Sequence, residues 1–149
     1  GSQMSSKEKQ EQVIEGLKHW QKIENASVIS TGRIMDKTDH PLIRMVAEII
    51  QRDSQVHYHL QQMIIDSMES KPFSLTPEDV ASVWDAIEEH IEIEKKTIEM
   101  AREAKDALKG SKHLTPQIYL LNYLMMDEEK HNAMLEALEQ VKKDIYPYA

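Results

Sequence analysis

Apolar residues recur along this chain at alternating three- and four-residue steps, which is the spacing of one face of an α-helix. Polar segments that contain proline or glycine divide the pattern into four stretches; these segments are DKTDHP, SKPFS and KGSKH. The pattern predicts four long helices, over about 5–35, 40–69, 77–109 and 115–145. Long helices joined by short loops are typical of an all-α, up-down-up-down four-helix bundle.

Candidate capping residues mark the starts of the last three helices. Asp39, Thr76 and Thr115 each stand one or two residues before a proline, where a side-chain oxygen can accept a hydrogen bond from a free backbone N–H group. Gly110 is a natural stop for the third helix, since glycine readily adopts the backbone conformation that ends a helix. The helix boundaries are therefore predicted by local signals as well as by periodicity.

Composition agrees with one helical domain. The sequence has 149 residues, of which 40% are hydrophobic, and this is enough for a single continuous core. Only four glycines and five prolines interrupt it, and helix-favouring residues dominate. We interpret 1–149 as one domain, in which residues 1–3, ahead of Met4, are a tag remnant.

The charge balance disfavours several classes of partner. With 26 acidic and 18 basic residues the formal net charge is −8, and no cluster of lysine and arginine marks a surface for nucleic acid or anionic membrane. The longest apolar stretch, 118–126, is too short to cross a membrane. Because the sequence contains no cysteine, it has no disulfide, thiolate zinc site or iron–sulfur centre. The cytoplasm is the expected compartment.

Acids and imidazoles interrupt the apolar seam of every predicted helix near its midpoint. In chain order the interrupting residues are Glu24, Asp53, His57, His90, Glu94, Glu128 and His131, and Ser54 lies on the flank of the second seam. A single residue of this kind is more often a hydrogen-bonded core residue than a ligand. In a bundle, however, all of them would meet at one level, where isolated buried charges would cost many kcal/mol. The pattern therefore predicts a metal site whose oxygen and nitrogen ligands suit iron, manganese or zinc.

The two halves of the chain repeat this spacing of polar residues. Residues of the second helix recur 74 positions later on the fourth, and residues of the first helix recur 70 positions later on the third. The corresponding pairs are Asp53 and Asp127, Ser54 and Glu128, His57 and His131, Glu24 and Glu94, and Trp20 and His90. The repeat predicts two pseudo-symmetric helical hairpins around one shared site.

Four segments carry a resemblance to a known family: ENASVIS followed by TDHPLIRMVAEIIQRDSQVHYHLQQM, and IEKKTIEMAREA followed by YLMMDEEKH. Over about 15–141 the chain resembles rubrerythrin-type members of the ferritin-like, carboxylate-bridged dimetal superfamily. The resemblance implies that Glu24 and Glu94 are terminal carboxylate ligands. It also implies that Glu128 and His131 form one complete Glu-x-x-His pair.

The second Glu-x-x-His pair departs from the family pattern. His57 matches its histidine, but Ser54 occupies the position of a bridging glutamate. The resemblance further implies that Asp53 and Asp127 accept hydrogen bonds from the ligand histidines, and a complete site would hold two irons per chain. The charge of two divalent ions would then be balanced by three carboxylates instead of four.

Three outcomes stay open for the site. An exogenous anion could fill the space that Ser54 leaves, His90 could supply an additional ligand, or the site could be mononuclear or empty. The function implied by the resemblance is iron oxidation, or reduction of O2 or peroxide, with an external electron donor. The alternative is a non-enzymatic metal carrier, sensor or helical scaffold, so whether the chain is an enzyme stays open. A homodimer is also compatible with the sequence.

Overall fold

The computed structural model of this chain describes residues 3–70 and 75–145, without the side chains of residues 142 and 145. The helices are α1 (Ser6–Asp36), α2 (Pro41–Glu69), α3 (Pro77–Ala107) and α4 (Thr115–Ile145), with a short 3-10 helix (Lys112–Leu114) ahead of α4. No strand occurs in these described ranges. The prediction of an all-α fold with four long helices is confirmed.

The chain divides into two compact units, the first containing α1 and α2 and the second containing α3 and α4. The first unit is an antiparallel hairpin. Lys18, early on α1, forms an ion pair of 3.4 Å with Glu69 at the end of α2. Further along α1, the Oγ atom of Ser27 lies 2.8 Å from that of Ser54, which is earlier on α2.

The second unit is a hairpin of the same kind. Glu94 on α3 contacts His131 on α4 at 3.4 Å, whereas Thr97, one turn later on α3, contacts the earlier residue Glu128 at 3.1 Å. Packing of the two hairpins into one bundle and one domain stays a prediction, as does the ferritin-like assignment.

At the connection between α1 and α2, side chains hydrogen-bond to backbone groups of both helices. His40, and not Asp39 as predicted, is the capping residue of α2, and its Nδ1 accepts a hydrogen bond of 3.2 Å from the backbone N–H of Leu42. The Arg44 guanidinium donates to the carbonyl oxygen of Met35. A free N–H group at the start of α2 and a free carbonyl at the end of α1 therefore both gain partners.

Thr76 caps α3, as predicted, and Asp79 completes a capping box that was not predicted from the sequence. The Thr76 hydroxyl accepts a hydrogen bond of 3.1 Å from the Asp79 N–H, and the Asp79 carboxylate accepts one of 2.9 Å from the Thr76 N–H. The hydrogen bonds from the Thr76 backbone and hydroxyl lower the pKa of Asp79 below its ordinary value of 3.8.

The start of α4 differs from this prediction. Thr115 was expected to cap α4 as Thr76 caps α3, but its hydroxyl donates a hydrogen bond of 2.7 Å to the Lys112 carbonyl of the preceding 3-10 helix. Gly110 has a φ of 83°, a left-handed conformation that a residue with a Cβ rarely adopts. The connection between α3 and α4 thus consists of a glycine in a left-handed conformation followed by a short 3-10 helix.

The buried side chains of the described residues are more often polar than apolar. The apolar ones are Leu17, Ala47, Ile65, Val80 and Ala101, and the polar ones are Gln21, Glu24, Thr31, Ser54, Gln61 and Glu94. Such an interior depends on hydrogen bonds and charge compensation as well as on apolar contact. Among the described helices, none is both long enough and apolar enough to cross a bilayer.

Only one side of the seam predicted for α1 is buried. Leu17, Glu24 and Thr31 are buried, whereas Val13 and Trp20 are exposed. A single neighbouring helix covers only part of an apolar stripe about 100° wide, so the residues on the far edge of the stripe stay accessible within one hairpin. The seam therefore identifies the helix face correctly but not each buried residue on it.

The capping box of α3 generates a pH prediction. Asp79→Asn keeps the shape of the side chain and removes the charge, so we expect it to lower the free energy of unfolding at neutral pH. Because the folded-state pKa of Asp79 is lowered, the advantage of the wild type is complete above 3.8 and is lost as the pH falls through the folded-state value.

Urea denaturation of both proteins as a function of pH measures this difference. Glu78→Gln, which removes a charge from the same helical turn, is the control for the helix dipole. A difference between wild type and Asp79→Asn that does not change with pH would contradict the assignment to the ionised capping box.

Candidate metal centre

Glu94 is the central residue of the candidate site. It lies midway along α3, and its side chain is only 6% exposed. One carboxylate oxygen, Oε1, lies 2.8 Å from His90 Nε2 and 3.4 Å from His131 Nδ1. The other oxygen, Oε2, is buried and has no hydrogen-bond partner. A buried carboxylate with an unpaired oxygen is costly, so its presence requires an explanation.

Two residues of α4 complete a group around this carboxylate. Glu128 and His131 are three positions apart and so project from the same side of the helix, and His131 Nδ1 lies 3.8 Å from Glu128 Oε2. One ligand atom from each of Glu94, Glu128 and His131 lies within 4.8 Å of the others. Atoms that share one ion at about 2.0–2.2 Å lie at most about 4.4 Å apart, so only a small contraction is needed for these atoms to hold one ion. We call these three residues the α3–α4 group.

The orientation of His131 also suits a ligand. Its second ring nitrogen, Nε2, lies 3.4 Å from Asp127 Oδ2, and Asp127 Oδ1 lies 2.9 Å from the Lys130 ammonium. A carboxylate beside one imidazole nitrogen favours the tautomer that leaves the other nitrogen free for a metal ion. In His131 that other nitrogen is Nδ1, the atom that faces Glu94.

The hydroxyl of Thr97 is a contact that the sequence did not reveal. Its Oγ1 donates at 2.8 Å to the Glu94 carbonyl and lies 3.1 Å from Glu128 Oε2, so one proton serves two acceptors. Thr97 thereby joins the two helices beside the α3–α4 group. The available signal was the repeat, since Ser27 occupies the corresponding position of α1.

The α1–α2 hairpin brings together a smaller set. Glu24 Oε2 lies 3.4 Å from His57 Nδ1, and the Glu24 side chain is 10% exposed whereas that of His57 is 54% exposed. We call these two residues the α1–α2 pair. The position of Glu128 is taken here by Ser54, which is buried and hydrogen-bonds to Ser27. This hairpin thus has one carboxylate and one imidazole at the equivalent level.

The outcome for the predicted ligands is therefore divided between the hairpins. Within α3 and α4, Glu94, Glu128 and His131 are brought together, with Asp127 and His90 next to them. Within α1 and α2, Glu24 and His57 are brought together, Ser54 is buried beside Ser27, and Asp53 is exposed. A centre shared by all four helices stays a prediction from the sequence.

Clefts flank the α3–α4 group. One, of about 230 Å³, is lined by His90, Glu94, His131, Met134 and Leu135. Another, of about 270 Å³, is lined by Thr97, Met100, Ala101, Leu121, Leu124 and Glu128. A larger cavity of about 440 Å³ contains the exposed Lys18–Glu69 pair at the open end of the first hairpin, but it lacks a carboxylate–imidazole group. The candidate site is therefore identified by its carboxylate and imidazole groups and not by the size of a cavity.

The unpaired oxygen of Glu94 generates a stability prediction. In protein stripped of metal, Glu94→Gln removes the uncompensated charge and keeps the side-chain shape. We expect the free energy of unfolding to rise by about 1 kcal/mol, since a buried charge that lacks full compensation costs more than a neutral amide of the same shape. Chemical denaturation in the presence of a chelator measures the change.

The control for this prediction is Glu89→Gln, which removes an exposed carboxylate from the same helix. We expect it to change the stability by less than about 0.5 kcal/mol. A Glu94→Gln variant that is less stable than the wild type without metal would show that the charge of Glu94 is already compensated by neighbouring protein groups.

The chain was also compared with protein-family models, curated proteins and solved structures, and none of them matches it. The resemblance to rubrerythrin-type proteins therefore stays a prediction carried by the residues themselves. What the chain does must be inferred from the geometry of its two hairpins, and the α3–α4 group is the part of that geometry with a definite chemical character.

Proposed function

We propose that this chain binds a divalent transition-metal ion through Glu94, Glu128 and His131, with iron as the first candidate. The observation that carries the proposal is the meeting of two carboxylates and one imidazole, in which the Glu94 carboxylate has a buried oxygen without a hydrogen-bond partner. Carboxylate and imidazole ligands suit iron, manganese and zinc. A bound cation would supply the positive charge that Glu94 Oε2 lacks.

The burial of Glu94 separates this group from an ordinary acidic cluster. Exposed acids on a helix are hydrated and need no ion. The side chain of Glu94 is 6% exposed, however, and His131 is held between Glu94 and Asp127. The protein residues would provide three donor atoms, and the remaining coordination positions would be left for water or a substrate.

The activity that we favour is oxidation of Fe(II), or reduction of O2 or peroxide, with electrons from an external donor. Iron bound by oxygen and nitrogen donors supplies one-electron redox chemistry and a Lewis-acidic centre. Glu94 and Glu128 would hold the ion, and His131, oriented by Asp127, would complete the protein ligands. An external donor is needed because the sequence has no cysteine for an iron–sulfur or rubredoxin-type centre.

A non-enzymatic metal carrier or sensor is the alternative. This alternative is favoured because, among the described residues, only the α3–α4 hairpin has two carboxylates and an imidazole together. In the α1–α2 hairpin, Ser54 takes the position of the second carboxylate. The rate of Fe(II) oxidation in air, with and without the protein, separates the two functions. An enzyme accelerates this reaction, whereas a carrier binds the ion without accelerating it.

The metal proposal predicts a defined stoichiometry. After removal of metal and anaerobic loading with Fe(II), elemental analysis is expected to give at least one iron per chain. At a free ion concentration 100 times the Kd, binding should stabilise the wild type by about 2.7 kcal/mol. Glu128→Gln should lose most of both effects because it removes a charged ligand atom.

The control is Glu129→Gln, which alters the neighbouring exposed carboxylate. It should bind iron as the wild type does. Wild-type protein that retains no metal and gains no stability from Fe(II), Mn(II) or Zn(II) would disprove the proposal.

Ser54 generates a second prediction about metal content. Ser54→Glu places a carboxylate on α2 at the position that corresponds to Glu128 on α4, beside Glu24 and His57. We expect the iron content to rise by about one ion per chain, because the first hairpin would then have the same ligand types as the second. Ser54→Gln, which has similar size and no charge, is the control.

If Ser54→Glu and Ser54→Gln bind the same amount of iron, the missing carboxylate does not limit the metal content. A polar side chain at position 54 should be tolerated, since Ser54 already forms a hydrogen bond with Ser27. Circular dichroism of both variants verifies that the helices are retained.

A further inference from the structure

His90 contacts the α3–α4 group but is not part of it. It lies one turn before Glu94 on α3, its ring is 53% exposed, and its Nε2 is 2.8 Å from Glu94 Oε1. When Glu94 is ionised it has no proton to donate, so the contact is a hydrogen bond in the tautomer of His90 that carries its proton on Nε2. His90 therefore donates, and Glu94 accepts through one named oxygen.

The hydrogen bond divides the two oxygens of Glu94 into different roles. Oε1 is held by His90 and lies near His131 Nδ1. Oε2 is buried and has no hydrogen-bond partner. A carboxylate held by one oxygen has less rotational freedom, so fixing it around an ion costs less entropy.

The other hairpin offers an internal comparison. The register that relates Glu24 to Glu94 relates Trp20 to His90. Histidine thus occurs in the hairpin that has both carboxylates, and tryptophan occurs in the hairpin in which Ser54 replaces one of them. Trp20 is 52% exposed, so burial in a core does not explain the difference between the two residues. A role for His90 connected with the carboxylate site does explain it.

We propose that His90 is a positioning residue, which fixes the orientation of the Glu94 carboxylate through Oε1 and so prepares it to bind metal. This inference rests on the proposed metal-binding function and adds a residue to the site. A nitrogen that carries the proton of this hydrogen bond cannot at the same time bind metal through a lone pair. Through Nε2, His90 would therefore act on the ion by way of Glu94.

Co(II) is a suitable probe because its visible absorption reports on the number and type of ligands. Affinity is measured on the full chain by competition with a chromophoric chelator. We expect His90→Leu to bind Co(II) about 10-fold or more weakly, the loss typical of residues that orient metal ligands. Its Co(II) spectrum should keep the wild-type shape, because the ligand atoms are unchanged.

A conservative variant distinguishes positioning from direct ligation. The Nε2 amide group of a glutamine can donate to Glu94 much as the imidazole does, so His90→Gln should recover most of the affinity and keep the spectrum. His59→Leu is the matched control, since His59 is an exposed histidine of the other hairpin. It should bind Co(II) as the wild type does.

Each other result has a distinct meaning. If the wild type binds no Co(II), both the proposed function and this inference fail. If the wild type binds and His90→Leu binds equally well, metal binding stands and the positioning role is wrong. If His90→Gln is as weak as His90→Leu, hydrogen-bond donation is not the function of His90, and a spectrum altered in both variants would identify it as a ligand. Circular dichroism of the metal-free variants detects any loss of helix.

Discussion

A carboxylate buried inside a two-helix hairpin is the constraint on which the candidate site depends. Glu94 lies in an interior from which water is largely excluded, and only one of its two oxygens has a hydrogen-bond partner. The neighbouring groups are arranged around this charge: His131 approaches from α4, and Thr97 joins the α3 backbone to Glu128. Hydrogen bonding alone leaves the charge incompletely compensated.

The two hairpins have different polar contacts at equivalent positions of the repeated helical pattern. In α1 and α2 the hydroxyls of Ser27 and Ser54 hydrogen-bond to each other, which gives neutral groups a satisfied place in the interior. In α3 and α4 the corresponding hydroxyl of Thr97 contacts the charged carboxylate of Glu128. The two hydroxyls of the first arrangement satisfy each other, although Glu24 Oε2 in the same hairpin is buried without a hydrogen-bond partner, as Glu94 Oε2 is in the second. The second hairpin differs in having two carboxylates beside one imidazole, and a cation would compensate both of them.

Much of the fold was predictable because its signals are local. Periodicity and turn residues located all four helices, and the place of Thr76 directly before a proline identified it as the capping residue of α3. The burial of Glu24 and Glu94 was also predictable, since each interrupts an apolar stripe. These properties depend on residues within a few turns of one another, and such relations are directly visible in a sequence.

The remaining details depend on contacts across a hairpin. A stripe with steps of three and four residues identifies a helix face, but it does not say which edge of that face the neighbouring helix covers, so the exposure of His57 could not be foreseen. Thr97 was missed because hydroxyl residues are frequent on helices and most of them only bond to their own backbone. His40, and not Asp39, caps α2 because the helix begins at Pro41, so that His40 is the residue directly before its first turn.

The division of the chain at residues 73 and 74 also divides its charge very unequally. Residues 1–73 contain nine lysines and arginines against ten acids, a net charge of −1, whereas residues 74–149 contain nine against sixteen, a net charge of −7. A negative field of this kind raises the local concentration of cations and accelerates their arrival, and it weakens as ionic strength increases. The half of the chain with both carboxylates is therefore also the half that attracts cations from a distance.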